Sequence, residues 1–205
     1  METILKSKKQ TVIIGPDRPL VIIGERINPT GRKKLAKALE EGDLKRVQEE
    51  AIKQVQEAAH VLDVNVGISG IDEPALLKEA IQAVREVTEV PLCIDSALPK
   101  ALEAGLQVYE GKALVNSVNG EERKLKDILP LVKHYGAAVI GLTMDDDGIP
   151  KEAKKRLEIA RKIVEEAQEI GVPAEDVVID PLAMAISTDQ GAALETLKTM
   201  RLIRD

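Results

Sequence analysis

Three polar residues, each placed directly after a short apolar run, are the first candidates for chemistry in this sequence. Asp95 follows Leu-Cys-Ile, Asn116 follows Ala-Leu-Val and Asp180 follows Val-Val-Ile. Burying an unpaired carboxylate is costly, so each group is expected at the end of a strand and not inside a core. Any one of them could instead cap the following turn, and for a single residue the two interpretations are equally good. Three together favour a ligand site.

Two carboxylates and an amide that face one another suit a flat ligand with adjacent N–H donors. A carboxylate accepts two N–H groups at once, and an amide both donates and accepts. The edge of a 2-amino-4-oxopyrimidine has this pattern. Glu25, Asp63 and Asn65 are further polar groups at the ends of apolar runs. We therefore predict one site at the carboxyl ends of several strands.

The strands that carry these groups are predicted to form a parallel sheet. Their apolar runs are nearly continuous, as expected for strands that are covered on both faces. Strands and helices alternate along the chain, which leaves a doubly wound sheet or a (β/α)8 TIM barrel. A doubly wound sheet concentrates its site at one switch point, whereas a barrel draws site residues from many strand ends. Since almost every strand contributes here, the α/β barrel is favoured.

The alternation predicts about six strand–helix units in residues 21–205, preceded by a lead-in or hairpin in residues 1–20. The predicted strands are 21–25, 61–66, 91–95, 113–117, 137–142 and 177–180. The predicted helices are 31–41, 43–59, one from Asp72, 98–105, 121–134, 151–170 and one from about Ala192. Residues 11–15 and 20–23 are expected to form the hairpin. Because a complete barrel takes about 250 residues, the barrel domain is expected to be incomplete after its sixth unit.

The composition argues against several classes of protein. The formal net charge of -6 and the absence of Phe and Trp argue against nucleic-acid binding. The sequence has neither an apolar run long enough to span a bilayer nor a secretory signal pattern. A single cysteine, Cys93, permits no disulfide within the chain and no cysteine metal cluster, and we expect it to be a small core residue. A cytoplasmic protein without membrane contacts is expected.

Several charged segments have simple structural interpretations. The runs at residues 32–34 and 154–156 are predicted to be solvated helix faces, and Asp145-Asp146-Asp147 is predicted to be a solvated turn closed by Gly148. Oxygen ligands in such a loop could alternatively bind a hard cation. No metal site is predicted.

The residues around the strand ends also resemble a known family. The resemblance is carried, in family order, by residues 23–28 (IGERIN), 62–67 (LDVNVG), 92–96 (LCIDS), 101–106, 115–117 (VNS), 140–144, 148–151 and 179–182 (IDPL). The chain resembles the pterin-binding barrels, and within them the methyltetrahydrofolate:corrinoid methyltransferases. That family includes the enzyme acting on a corrinoid/iron–sulfur protein and the folate domain of cobalamin-dependent methionine synthase.

The resemblance implies a fold, a site and a reaction. Asp95, Asn116 and Asp180 would hold the pterin ring by hydrogen bonds. Glu25, Asp63 and Asn65 would line the same barrel mouth, and the run at residues 32–34 could steer the folate glutamate tail. The methyl group on N5 of 5-methyltetrahydrofolate would be exchanged with the cobalt of a corrinoid (cobalamin), carried by a partner such as a corrinoid/iron–sulfur protein. A homodimer is also implied.

Departures from the family pattern keep two alternatives open. An Asn on the seventh strand assists the transfer in that family, and it would lie beyond Asp205, so no catalytic residue is assigned in this chain. Dihydropteroate synthase shares the barrel, but residues 25–30 replace its first-strand pattern Asn-Val-Thr-Pro-Asp-Ser-Phe, and its Lys is missing after Asp180-Pro181. The other alternative is a non-catalytic folate- or pterin-binding subunit.

Overall fold

A computed structural model describes residues 1–184 and 191–204. The chain forms two compact units: Met1–Asn116 with Tyr135–Ala138, and Ser117–His134 with Val139–Asp205. The strands are β1 (Thr3–Lys6), β2 (Thr11–Ile14), β3 (Ile23–Ile27), β4 (Val61–Val64), β5 (Leu92–Asp95), β6 (Leu114–Asn119), β7 (Ala138–Leu142) and β8 (Val177–Asp180). The helices are α1 (Lys33–Glu40), α2 (Lys45–Gln56), α3 (Glu73–Val87), α4 (Pro99–Val108), α5 (Glu122–Tyr135), α6 (Ala153–Glu169) and α7 (Ala192–Arg204), with a 3-10 helix at Ala174–Asp176.

The predicted α/β architecture is confirmed. Strands β3 to β8 lie in one sheet in the order in which they occur along the chain, and helices alternate with them. Within the described residues, no helix is long and apolar enough to cross a membrane.

The first unit is built on parallel strands that helices cover. Strand β4 pairs in parallel with β3 and β5, and β5 pairs in parallel with β6. All residues of β4 are buried, as its nearly continuous apolar run predicts. Helix α3 begins at the predicted place, because Asp72 accepts a hydrogen bond from the backbone N–H of Ala75 at 3.2 Å. It buries the apolar stripe Leu77, Ala80, Ile81 and Val84.

The second unit places two parallel strands beside the long helix α6. Strand β7 pairs with β8, and the register sets Leu142 opposite Asp180. Helix α6 buries Ile159 and Ile163, and Gly171 follows it with a φ of 90°. A glycine in this left-handed conformation ends the helix, as predicted.

The N-terminal hairpin uses different arms from those predicted. Strand β1 pairs with β2 in antiparallel register, so that Thr3 lies opposite Ile14. Ser7 fixes the turn, because its Oγ accepts hydrogen bonds from the backbone N–H groups of Lys9 and Gln10. The predicted pairing of residues 11–15 with 20–23 is therefore wrong.

Gly105 does not end helix α4, which continues to Val108. A Cβ atom at Gly105 would lie 2.8 Å from Cδ1 of Ile81 and 3.0 Å from Cγ2 of Ile94. The residue is therefore glycine because α4 approaches α3 and β5 closely. The expectation that it stops the helix is wrong.

Arg156 is not part of a solvated helix face, because only 1% of its surface is exposed. Its guanidinium donates from Nε to the carbonyl oxygen of Pro150 at 2.8 Å and from Nη1 to that of Pro181 at 2.7 Å. Nη1 also lies 3.0 Å from the carbonyl oxygen of Leu182 and 3.2 Å from Oγ1 of Thr196. One side chain thus holds two backbone segments of the second unit and the side chain of Thr196.

Candidate functional site

Asp95 and Asn116 end neighbouring strands and lie side by side. Strand β5 pairs in parallel with β6, and the register sets the Cα atoms of these two residues opposite each other. The backbone N–H of Ser96 donates to the carbonyl oxygen of Asn116 at 3.2 Å and continues this pairing past the end of β5. The predicted meeting of these two groups at one edge of the sheet is therefore present.

Asp63 and Asn65, which follow one another along β4 and its exit, complete a hydrogen-bonded group. Asn116 donates from Nδ2 to Oδ1 of Asp63 at 3.0 Å, and Asn65 donates from Nδ2 to Oδ2 of Asp95 at 3.0 Å. The carboxyl groups of Asp63 and Asp95 are also within hydrogen-bonding reach of each other. We call Asp63, Asn65, Asp95 and Asn116 the strand-end cluster.

Burial makes both carboxyl groups of the cluster hold a proton more firmly than usual. Burial is the main cause that raises the pKa of Asp95 to about 6, and the negative charge of Asp63 adds to it. Burial also raises the pKa of Asp63, although the hydrogen bond from Asn116 opposes the increase. Two carboxyl groups this close together do not ionise independently, because the charge of one raises the pKa of the other.

Cys93 is completely buried, which confirms that it is a core residue. Its thiol also affects the pKa of Asp63. Burial, together with the charges of Asp63 and Asp95, raises the pKa of the thiol well above its ordinary value. The thiol of Cys93 is therefore neutral, and it is not a nucleophile.

Glu25 lies at the edge of this group. Its side chain is exposed on β3, and its charge contributes to the raised pKa of Asp63. The end of β3 is tied to the cluster, since the backbone N–H of Asn65 donates to the carbonyl oxygen of Ile27 at 2.9 Å. Glu25 is thus in electrostatic reach of the cluster without a hydrogen bond to it among the described residues.

Two polar residues beside the cluster, Ser96 and Glu73, were not predicted from the sequence. The hydroxyl of Ser96 donates to the carboxylate of Glu73, and its Oγ accepts the backbone N–H of Leu98 at 3.0 Å. The contact joins the exit of β5 to the first turn of α3, and the charge of Glu73 also raises the pKa of Asp95. A Glu in the first turn of a helix is usually explained by its favourable interaction with the helix dipole. The sequence therefore offered no reason to expect its contact with Ser96.

Asp180 belongs to the second unit. It ends β8, and its Oδ1 accepts a hydrogen bond from the backbone N–H of Leu182 at 2.7 Å. Its carbonyl oxygen accepts from Oγ1 of the buried Thr143 at 3.1 Å. Leu182 has a φ of 58°, so the carboxylate of Asp180 stabilises a sharply turned exit from the strand.

The acidic run at Asp145 forms the predicted turn. Oδ1 of Asp145 accepts the backbone N–H of Asp147 at 3.0 Å, and the backbones of Asp145 and Gly148 are paired. Among residues 1–184 and 191–204, no group of three His, Cys, Asp or Glu side chains is arranged to hold a metal ion.

The raised pKa of Asp95 predicts a pH-dependent cost in stability. The folded state prefers the protonated carboxyl, so the contribution of Asp95 to the free energy of unfolding is fully present below the ordinary pKa near 4. This stability is lost as the pH rises through about 6. Asn cannot ionise, so it does not lose this stability. As the pH rises from about 4 to about 7, we expect the free energy of unfolding of Asp95→Asn to increase by about 1–2 kcal/mol relative to that of the native protein, after allowance for partial exposure. Urea unfolding of both proteins at each pH measures this difference, and equal pH profiles would contradict it.

The strand-end cluster is suited to binding a flat polar ring rather than to covalent catalysis. Asp95 is half-buried and ionises near neutral pH, so it can accept two adjacent N–H groups of a ligand. Asn116 supplies an amide beside it. The four side chains of the cluster are carboxyl and amide groups, and the neighbouring Cys93 is buried with a raised thiol pKa, so it is not available as a nucleophile.

Comparison with known proteins points to the same ligand class. Residues 24–205 match the family described as "Pterin binding enzyme". The chain is 34% identical to a methylcorrinoid:tetrahydrofolate methyltransferase of Eubacterium limosum over 188 residues, which are 91% of this chain and 69% of that protein. It is 30% identical to a methionine synthase of Mycobacterium tuberculosis over 213 residues, with 99% of this chain and 18% of that protein covered.

Solved structures show the same fold at low sequence identity. A dihydropteroate synthase of Xanthomonas albilineans with 4-aminobenzoic acid superposes with a TM-score of 0.71 at 16% identity, over 98% of this chain and 73% of that one. The same enzyme with 7,8-dihydropteroate gives a TM-score of 0.66 at 19% identity, over 94% of this chain and 70% of that one. On the family match and the identity to curated relatives, this chain belongs to the pterin-binding enzymes.

Proposed function

We propose that the protein transfers a methyl group between N5 of 5-methyltetrahydrofolate and the cobalt of a corrinoid carried by a partner protein. The observation that carries the proposal is the strand-end cluster. In it, Asp95 is hydrogen-bonded to Asn65, and Asn116 is hydrogen-bonded to Asp63. The resemblance of the chain to a methylcorrinoid:tetrahydrofolate methyltransferase supports the choice of reaction.

In this proposal Asp95 and Asn116 bind the pyrimidine edge of the pterin. The carboxylate of Asp95 accepts the ring N–H and the 2-amino group together, and the amide of Asn116 pairs with the neighbouring polar atom. Asp63 holds Asn116 through the hydrogen bond to Nδ2, and Asn65 holds Asp95 in the same way. We also propose Asp180 as a pterin-binding residue and Glu25 as a residue at the rim.

The chemical step breaks the bond between N5 and the methyl carbon. The electron pair of that bond stays on N5, and the Co(I) of the corrinoid substrate supplies the pair for the new cobalt–carbon bond and becomes Co(III). A proton must reach N5, because an unprotonated amine leaves badly. The residues of the strand-end cluster fix the ring so that the methyl group faces the second substrate, which is catalysis by positioning. The corrinoid supplies the reactive metal. We assign no general acid to this chain.

The partner protein in this proposal is a corrinoid protein, for which a corrinoid/iron–sulfur protein is one candidate. The names of the curated relatives include a methylcorrinoid substrate and methionine synthase, which is consistent with a corrinoid partner. A homodimer is part of the same proposal, and light scattering of the purified protein tests it.

Spectroscopy of the corrinoid tests the proposed reaction. The full chain is incubated with 5-methyltetrahydrofolate and Co(I) cobalamin, and the loss of the Co(I) absorbance and the gain of methylcobalamin are followed. The reverse mixture of methylcobalamin and tetrahydrofolate tests the other direction. We expect transfer in at least one direction, at a rate proportional to the protein concentration.

Each of the two alternatives predicts a different result. A non-catalytic subunit would bind 5-methyltetrahydrofolate without transfer in either direction. A dihydropteroate synthase would condense 4-aminobenzoate with a pterin pyrophosphate, which is tested separately. Failure of 5-methyltetrahydrofolate to bind at all would contradict the proposed function.

A further inference from the structure

A basic cavity opens on the first unit beside helix α1. It has a volume of about 560 Å³. Its lining residues are Arg26, Gly31, Arg32, Lys33, Lys34, Leu35 and Arg46, and five of them are cationic. We call this feature the basic cavity.

One buried carboxylate organises the arginines of the basic cavity. Glu50 is 6% exposed. Its Oε1 accepts a hydrogen bond from Nη2 of Arg32 at 2.7 Å and lies 3.4 Å from Nη2 of Arg46. Nε of Arg26 lies 3.5 Å from the other carboxylate oxygen of Glu50. A single negative charge therefore gathers three guanidinium groups at one place.

The cationic charge of the basic cavity exceeds the negative charge that contacts it. Apart from Glu50, the described residues place only the exposed Glu49 against the arginines, at 3.0 Å from Nη1 of Arg46. Nε of Arg46 is buried and has no hydrogen-bond partner. Lys33 and Lys34 are exposed, and neither forms an ion pair with a described residue. The positive charge that remains suits an anionic ligand.

The basic cavity begins close to the strand-end cluster. Arg26 lies in β3 directly before Ile27, whose carbonyl oxygen accepts the backbone N–H of Asn65 at 2.9 Å. Asn65 is in turn hydrogen-bonded to Asp95. A ligand with a polar ring on the cluster and an acidic tail could therefore reach both sites within the first unit.

We propose that the basic cavity binds the carboxylates of the glutamate tail of the pterin substrate, and that it favours tails with more than one glutamate. This inference rests on the proposed function, because it takes a tetrahydrofolate as the ligand. A tetrahydrofolate ends in a glutamate, and each further γ-linked glutamate adds one carboxylate. Lys33 and Lys34 bind the added carboxylates, while Arg26, Arg32 and Arg46 hold the shape of the basic cavity around Glu50.

Titration calorimetry with 5-methyltetrahydrofolate carrying one or four glutamates tests the inference. We expect the native protein to bind the four-glutamate form about tenfold more tightly at low salt, and this advantage to shrink as salt is added. In the double variant Lys33→Gln/Lys34→Gln, the ratio of the affinities for the four-glutamate and one-glutamate forms falls about fivefold. The affinity for the one-glutamate form itself changes little. Neither lysine contacts Glu50, and circular dichroism confirms that the variant is folded.

A matched control removes the same charge elsewhere. Lys154→Gln/Lys155→Gln changes two exposed lysines of helix α6 and is expected to keep the whole advantage. Equal affinity of the native protein for the two forms, or an equal loss in both double variants, would overturn the inference and leave the proposed function intact. Failure of both forms to bind the native protein would contradict the proposed function, and this inference with it.

Discussion

Asp95→Asn is expected to weaken the binding of 5-methyltetrahydrofolate by roughly 100-fold, which corresponds to about 3 kcal/mol. The native carboxylate accepts hydrogen bonds, including one from Nδ2 of Asn65 at 3.0 Å. An amide in its place must turn an N–H donor toward either Asn65 or the donor edge of the pterin. The charge that strengthens those bonds is lost as well. Titration calorimetry of the native and variant proteins measures the change.

The control for this prediction is Asp17→Asn, which changes an exposed carboxylate in the N-terminal segment. We expect it to leave the affinity unchanged. The fold of the Asp95 variant is checked by its urea unfolding curve, which should keep the native slope. A folded Asp95→Asn protein that binds within about threefold of the native affinity would show that this carboxylate does not hold the ligand.

Arg156→Met is expected to lower the free energy of unfolding by about 3–5 kcal/mol. The guanidinium donates to the carbonyl oxygens of Pro150, Pro181 and Leu182, and all of these bonds are 3.0 Å or shorter. A methionine fills much of the space but leaves these oxygens without their donor. Urea unfolding measures the loss.

The matched control for this prediction is Arg161→Met, which replaces an exposed arginine of the same helix. Its effect is expected to stay within about 0.5 kcal/mol. Because Arg156 holds Pro181 and Leu182 directly after Asp180, its loss should also weaken 5-methyltetrahydrofolate binding if Asp180 contacts the pterin. Equal stability of the two variants would contradict the role given to Arg156.

The strand ends were predictable because one physical rule governs them. A carboxylate that follows directly on a buried apolar run must leave the core, and parallel strands bring such exits to one edge of a sheet. This rule placed Asp95 beside Asn116, and the register confirms it. The alternation of apolar runs with helical segments likewise predicted that helices alternate with strands β3 to β8 along the chain.

The remaining features depend on contacts between segments distant in the sequence. Gly105 has the sequence pattern of a helix stop, but its role follows from its distance to Ile81 and Ile94. Arg156 follows two lysines and looks like a surface residue until its carbonyl partners are seen. The raised pKa of Asp95 depends on burial and on the nearby charge of Asp63, which no local pattern encodes.

The central claim is that the strand-end cluster binds the pyrimidine edge of a reduced pterin. A crystal structure of the protein with 5-methyltetrahydrofolate tests it most directly. The account predicts the ring N–H and the 2-amino group at about 2.7–3.0 Å from the carboxylate oxygens of Asp95, with Asn116 in contact with the same edge. A pterin ring bound elsewhere, with Asp95 and Asn116 still paired only to Asn65 and Asp63, would contradict it.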